Sequence, residues 1–83
     1  MPHILIIDDE ASIRNVLRDI LELEDYDVDE AKDGIEALAK IRQNKFDVVI
    51  SDIKMPKMDG MDVLERIQAI APDVPVIMIS GHG

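Results

Sequence analysis

Three short apolar runs and one alternating segment are separated by longer stretches of helical periodicity, and this alternation limits the folds open to the chain. The apolar runs are His3-Ile4-Leu5-Ile6-Ile7, Val48-Val49-Ile50 and Val76-Ile77-Met78-Ile79. Each is short and rich in branched residues, as a strand buried on both faces requires. Tyr26 to Ala31 alternates apolar with polar residues, the pattern of a strand at a sheet edge. Between them, Ile13, Val16, Leu17, Ile20, Leu21 and Leu23 recur at helical spacing, with Arg14, Asp19 and Glu22 on the other face. This predicts a first helix from about Ala11 to Leu23. Asp33-Gly34-Ile35-Glu36 has the form of a capping box opening a second helix, which carries Ile35, Leu38 and Ile41 and ends near Asn44. A central strand over residues 47–51 follows. A third helix displays Val63, Leu64, Ile67 and Ile70 and stops before Pro72. Alternating strands and helices of these lengths imply right-handed crossovers and a parallel sheet with helices on its faces, an α/β fold.

In such a sheet the C-terminal ends of the strands form the ligand-binding edge. The first strand runs into Asp8-Asp9-Glu10 and the third into Asp52. An Asp after a strand is usually a turn residue or a helix cap, and Glu10 is accounted for by the positive N-terminal end of the following helix. The coincidence of Asp8 and Asp9 with Asp52 is not. Two carboxylates about 5 Å apart repel by roughly 3 kcal/mol at an effective dielectric near 20. A cluster of this kind needs a cation, a raised pKa or a wider spacing. A few carboxylates, a backbone carbonyl and water make a ligand set suited to Mg²⁺.

These residues carry a resemblance to a known family. The acidic pair after the first strand, Asp52 after the third, the loop Asp52-Ile53-Lys54-Met55-Pro56-Lys57-Met58-Asp59-Gly60, and Ser80-Gly81 after the fourth strand resemble the receiver domain of two-component response regulators. The resemblance implies a flavodoxin-like parallel sheet of strand order 2-1-3-4. Residues 1–83 would then be the N-terminal part, about two-thirds, of a single receiver, with a fifth strand and the last two helices missing. It implies that Asp52 is a phospho-acceptor that takes a phosphoryl group from a sensor histidine kinase. Mg²⁺ would be held by Asp9, Asp52, Asp8 through water and the backbone carbonyl of Lys54, and Ser80 would hydrogen-bond the phosphoryl group. The family's Lys and aromatic switch residue on the fifth strand have no counterpart here. The implied partners are the kinase and a C-terminal output domain or partner protein. The Lys-Met-Pro loop and the Ser-Gly-His-Gly ending resemble receivers of the nitrogen-regulation type. If the fourth strand ends the sheet, its open edge offers a route to a homodimer.

Composition narrows the remaining classes. Nine basic against eighteen acidic side chains give a net charge of −9, which argues against direct nucleic-acid binding. There is no cysteine, so no disulfide framework or thiol chemistry, as suits a reducing cytoplasm. No apolar run reaches membrane-spanning length and no signal sequence is visible, so a cytoplasmic protein is expected. His3 and His82 lack partners at metal-ligand spacing. Met55, Met58 and Met61 read as packing residues rather than a partner groove. Two alternatives stand beside the phospho-acceptor. One is a pseudo-receiver, an interaction module that is not phosphorylated. The other is a Mg²⁺-dependent phosphatase of haloacid-dehalogenase type, whose acids alternate after the first strand where Asp8 and Asp9 are adjacent.

Overall fold

The computed structural model describes residues 1–53 and 60–79. Its elements are β1 (His3–Ile7), α1 (Ala11–Leu23), β2 (Asp27–Ala31), α2 (Gly34–Gln43), β3 (Val48–Asp52), α3 (Gly60–Ile70) and β4 (Val76–Ile79). The strands form one parallel sheet in the order β2-β1-β3-β4, the expected flavodoxin-like arrangement. β3 begins and ends one residue later than the sequence suggests, because Asp52 is itself paired in register with Ile79. Asp52 therefore closes the strand rather than following it.

Side-chain alternation divides the sheet into two apolar layers. On one face Leu5, Ile7, Ala31 and Val49 pack with Ala37, Leu38 and Ile41 of α2, Val63 and Ile67 of α3, and Phe46. On the other face Ile4, Ile6 and Val28 pack with Leu17 and Leu21 of α1 and with Tyr26, Val48 and Ile50. The apolar stripe of α1 is only half used. Ile13, Leu17 and Leu21 are partly buried, whereas Val16, Ile20 and Leu23 are exposed. Ile77 of β4 is exposed as well. Ile35, read from the sequence as part of the buried face of α2, is also exposed.

Local chemistry sets the start of α2 and the end of α1. The Asp33 carboxylate accepts the Glu36 N–H at 2.8 Å and so caps α2, while the Glu36 carboxylate reaches back to the Lys32 N–H at 3.3 Å. α1 closes in a Schellman arrangement, with Tyr26 N–H on the Leu21 carbonyl and Asp25 N–H on the Glu22 carbonyl. That arrangement requires a left-handed residue, and Asp25 supplies it at φ 65° without being glycine. Among the described residues, no helix is long and apolar enough to cross a membrane.

Candidate functional site

β1 and β3 are adjacent and parallel, with Ile7 in register with Ser51. Two strands in this register deliver their final residues to one edge, and the acids that follow β1 meet the acid that ends β3. Carboxylate oxygens of Asp8, Asp9 and Asp52 all lie within 4.8 Å of one another. Asp8 and Asp52 are buried, at 0% and 1% exposure, and Asp9 is open to solvent.

The backbone around Asp8 is tightly tied. Its N–H donates to the Ala31 carbonyl at 3.1 Å, and its Oδ1 accepts the Glu10 N–H at 2.9 Å. Its carbonyl accepts from Arg14 Nη1 at 2.6 Å. Asp8 Oδ2, by contrast, is buried without a hydrogen-bond partner among the described residues. A buried carboxylate oxygen left in this state is costly. Burial is the main cause that pushes the Asp8 carboxyl above the ordinary value of 3.8, and the Glu10 N–H opposes it. The charges of Asp52 and Asp9 raise it further. All of these observations describe a pocket of hard oxygen donors with an excess of negative charge, which suits Mg²⁺.

Ion pairs along β2 link α1 and α2 to the sheet, and through Arg14 to the pocket. Arg14 Nε donates to Glu30 Oε1 at 3.0 Å and Arg18 Nε to Glu30 Oε2 at 2.5 Å. Lys40 Nζ meets Asp29 Oδ1 at 2.8 Å and also donates to the Glu30 carbonyl. Burial works to raise the pKa of Glu30, but the hydrogen bonds and charges of Arg18 and Arg14 outweigh it and hold the carboxyl low. Asp29 is likewise held low: its burial is overcome by Lys40 and the Glu30 N–H. Sequence reasoning missed this layer and assigned Arg14 to the outer polar face of α1; its side chain is only 16% exposed. The available signal was a pair of arginines four residues apart on one helix flank, with an acid on the neighbouring edge strand.

The structure brings together Asp8, Asp9 and Asp52, three of the residues singled out from sequence. Lys54 and Ser80, also singled out, lie outside the described residues.

The chain as a whole is similar to known proteins. Residues 4–83 match the response regulator receiver domain. The chain is 39% identical over 82 residues to the C4-dicarboxylate transport transcriptional regulatory protein DctD of Rhizobium meliloti, covering 99% of this chain and 18% of DctD. Among solved structures, the response regulator TrrA of Thermotoga maritima in complex with Mg²⁺–BeF superposes with a TM-score of 0.94 at 37% identity. That match covers 100% of this chain and 72% of TrrA. TrrA in complex with the histidine kinase ThkA is similarly close, with a TM-score of 0.93, 37% identity and coverage of 100% and 72%. The chain thus spans less than a fifth of the length of DctD. With a family match over nearly its whole length and the parallel 2-1-3-4 sheet of its structural neighbours, the chain belongs to the response regulator receiver domain family.

Proposed function

We propose that this chain receives a phosphoryl group on Asp52 from the phosphohistidine of a sensor histidine kinase. Receiver domains are signalling domains rather than enzymes that turn over a free substrate. The observation that carries the reading is the burial of Asp52 at the end of β3, with oxygens of Asp8 and Asp9 within 4.8 Å, in a chain of this family. An Asp52 carboxylate oxygen forms a bond to phosphorus as the phosphorus–nitrogen bond of the phosphohistidine breaks, and the imidazole nitrogen leaves with the electron pair. Asp9, Asp52, Asp8 through water and the backbone carbonyl of Lys54 would hold Mg²⁺. When bound, the ion supplies neutralisation of the charge gathered between carboxylate and phosphoryl oxygens.

The chain's own residues do the positioning. The β3 ladder fixes Asp52: Ile53 N–H donates to the Ile79 carbonyl at 3.1 Å just beyond it. Ser80, directly after β4, donates a hydrogen bond to the phosphoryl group in this reading. Two structures of one neighbour supply support by likeness: TrrA was solved with Mg²⁺–BeF and, separately, with a histidine kinase. The relative DctD is a transcriptional regulator much longer than this chain. We therefore propose that phosphorylation here controls an output region or a partner protein.

The test is the intact mass of the protein after incubation with acetyl phosphate, with Mg²⁺ or EDTA, beside Asp52→Asn. A Mg²⁺-dependent gain of one phosphoryl group, absent from Asp52→Asn, is expected. Labelling that persists in Asp52→Asn would refute the assignment of the acceptor.

A further inference from the structure

We infer that Arg14 is a positioning residue for the acidic pocket. Its guanidinium, anchored on Glu30, fixes the peptide between Asp8 and Asp9 and so sets the pocket's affinity for a divalent cation. The inference rests on the metal-binding reading of the pocket given above.

The geometry is specific to a planar fork. Arg14 Nε holds Glu30 Oε1 at 3.0 Å while Nη1 of the same group donates to the Asp8 carbonyl at 2.6 Å. That carbonyl belongs to the peptide joining the two acids, and rotating it would swing one acid relative to the other. The Asp8 N–H is already committed to Ala31 and its Oδ1 to Glu10. Arg14 therefore completes a set of contacts that, among the described residues, leaves Asp8 Oδ2 without a hydrogen bond. Glu30 is itself held from both sides, by Arg18 on its carboxylate and by Lys40 on its carbonyl. α1 is thus tied to the carboxylate of Glu30 on β2 and α2 to its backbone carbonyl, and Arg14 extends these ties to the turn that carries the acids. Lysine, with a single ammonium, cannot span both acceptors in this fixed geometry.

Charge alone predicts the opposite sign. A cation beside a cluster of carboxylates opposes the entry of another cation, so removing Arg14 purely as a charge would tighten metal binding. Loss of a residue that orients ligands weakens it, typically by 10–100-fold where the partner bonds a ligand side chain directly. Arg14 acts through the peptide, so the lower end of that range is expected.

The experiment is titration of the protein with Mn²⁺ alone, following the free ion by electron paramagnetic resonance, with thermal unfolding of every variant alongside. Arg14→Met should raise the Kd about tenfold. Glu30→Gln should raise it in the same direction, and Arg14→Lys should recover only part of the loss. Arg18→Met, which removes an equivalent ion pair to Glu30, should stay within about twofold of the unsubstituted protein. The inference is overturned if Arg14→Met and Arg14→Lys, still folding cooperatively, bind Mn²⁺ as tightly as the unsubstituted protein or more tightly. It is equally overturned if Arg18→Met weakens binding as much as Arg14→Met. A different result, no Mn²⁺ binding by the unsubstituted protein or binding that survives Asp9→Asn combined with Asp52→Asn, refutes the metal-binding reading itself.

Discussion

Replacing Asp8 by Asn removes one negative charge from the pocket while keeping the side chain's shape and the acceptor for the Glu10 N–H. With oxygens of Asp8 and Asp52 within 4.8 Å and both residues buried, their mutual repulsion is about 3.5 kcal/mol at an effective dielectric of 20. Asp9 is exposed and adds less, because solvent screens it. Local relaxation absorbs part of the strain, so Asp8→Asn should stabilise the metal-free protein by about 1–3 kcal/mol at neutral pH. In a domain of this size each kcal/mol raises Tm by about 4–8 °C. The pH dependence has a definite sign. The folded-state pKa of Asp8 is raised above 3.8, so the native state keeps this proton to higher pH than the unfolded chain does. Stability from this group is present below 3.8 and is lost as pH rises through the folded value. The advantage of Asp8→Asn should therefore open within that window and stay constant above it. Mg²⁺ should narrow the gap, since at ten times its Kd the ion adds about 1.4 kcal/mol to the protein that binds it. Thermal unfolding by circular dichroism, across pH and in EDTA or Mg²⁺, measures all of this. A metal-free Asp8→Asn protein less stable than its parent at neutral pH, or a gap that ignores both pH and Mg²⁺, would show that repulsion does not govern this pocket.

Other expectations concern the frame that holds the site. Asp29 and Glu30 have lowered pKa values, so their ion pairs contribute above about pH 4.5 and are lost as pH falls through the folded values; the Glu30→Gln protein should show a shallower acid-unfolding curve. Ile67 is fully buried between α3 and the sheet, and Ile67→Ala should cost about 2–5 kcal/mol by urea unfolding; a loss below 1 kcal/mol would contradict its place in the core. Asp33→Ala removes the cap of α2 and should cost about 1 kcal/mol, measurable as a shifted urea midpoint with unchanged slope. Asp25→Gly relieves a left-handed non-glycine residue and should raise stability by about 1 kcal/mol; a lower Tm would argue against the φ of 65°.

Much of this was legible in the sequence because it depends on local pattern. The branched runs at 4–7 and 48–50 identify central strands, and the acids that terminate them follow directly in the chain. The Asp33 cap and the stop before Pro72 are likewise short-range signals, set by backbone groups within a few residues. The end of β3 was less legible: whether Asp52 belongs to the strand depends on a partner, Ile79, that lies far along the chain.

By itself, the sequence determined the order of elements, the two-sided burial of the inner strands and the identity of the acids at the binding edge. Tertiary structure alone decided how unequal those acids are. Asp8 and Asp9 are neighbours of one type, yet Asp8 is buried, with an oxygen that has no hydrogen-bond partner among the described residues, and Asp9 is exposed. It also decided that Val16, Ile20 and Leu23 share a periodicity with Leu17 and Leu21 but not their burial. Periodicity states which residues lie on one face, whereas burial depends on what the rest of the chain sets against that face. The fork of Arg14 between Glu30 and the Asp8 carbonyl is of the same kind. It joins a helix, an edge strand and a turn, and its partners become neighbours only once β2 is laid beside β1.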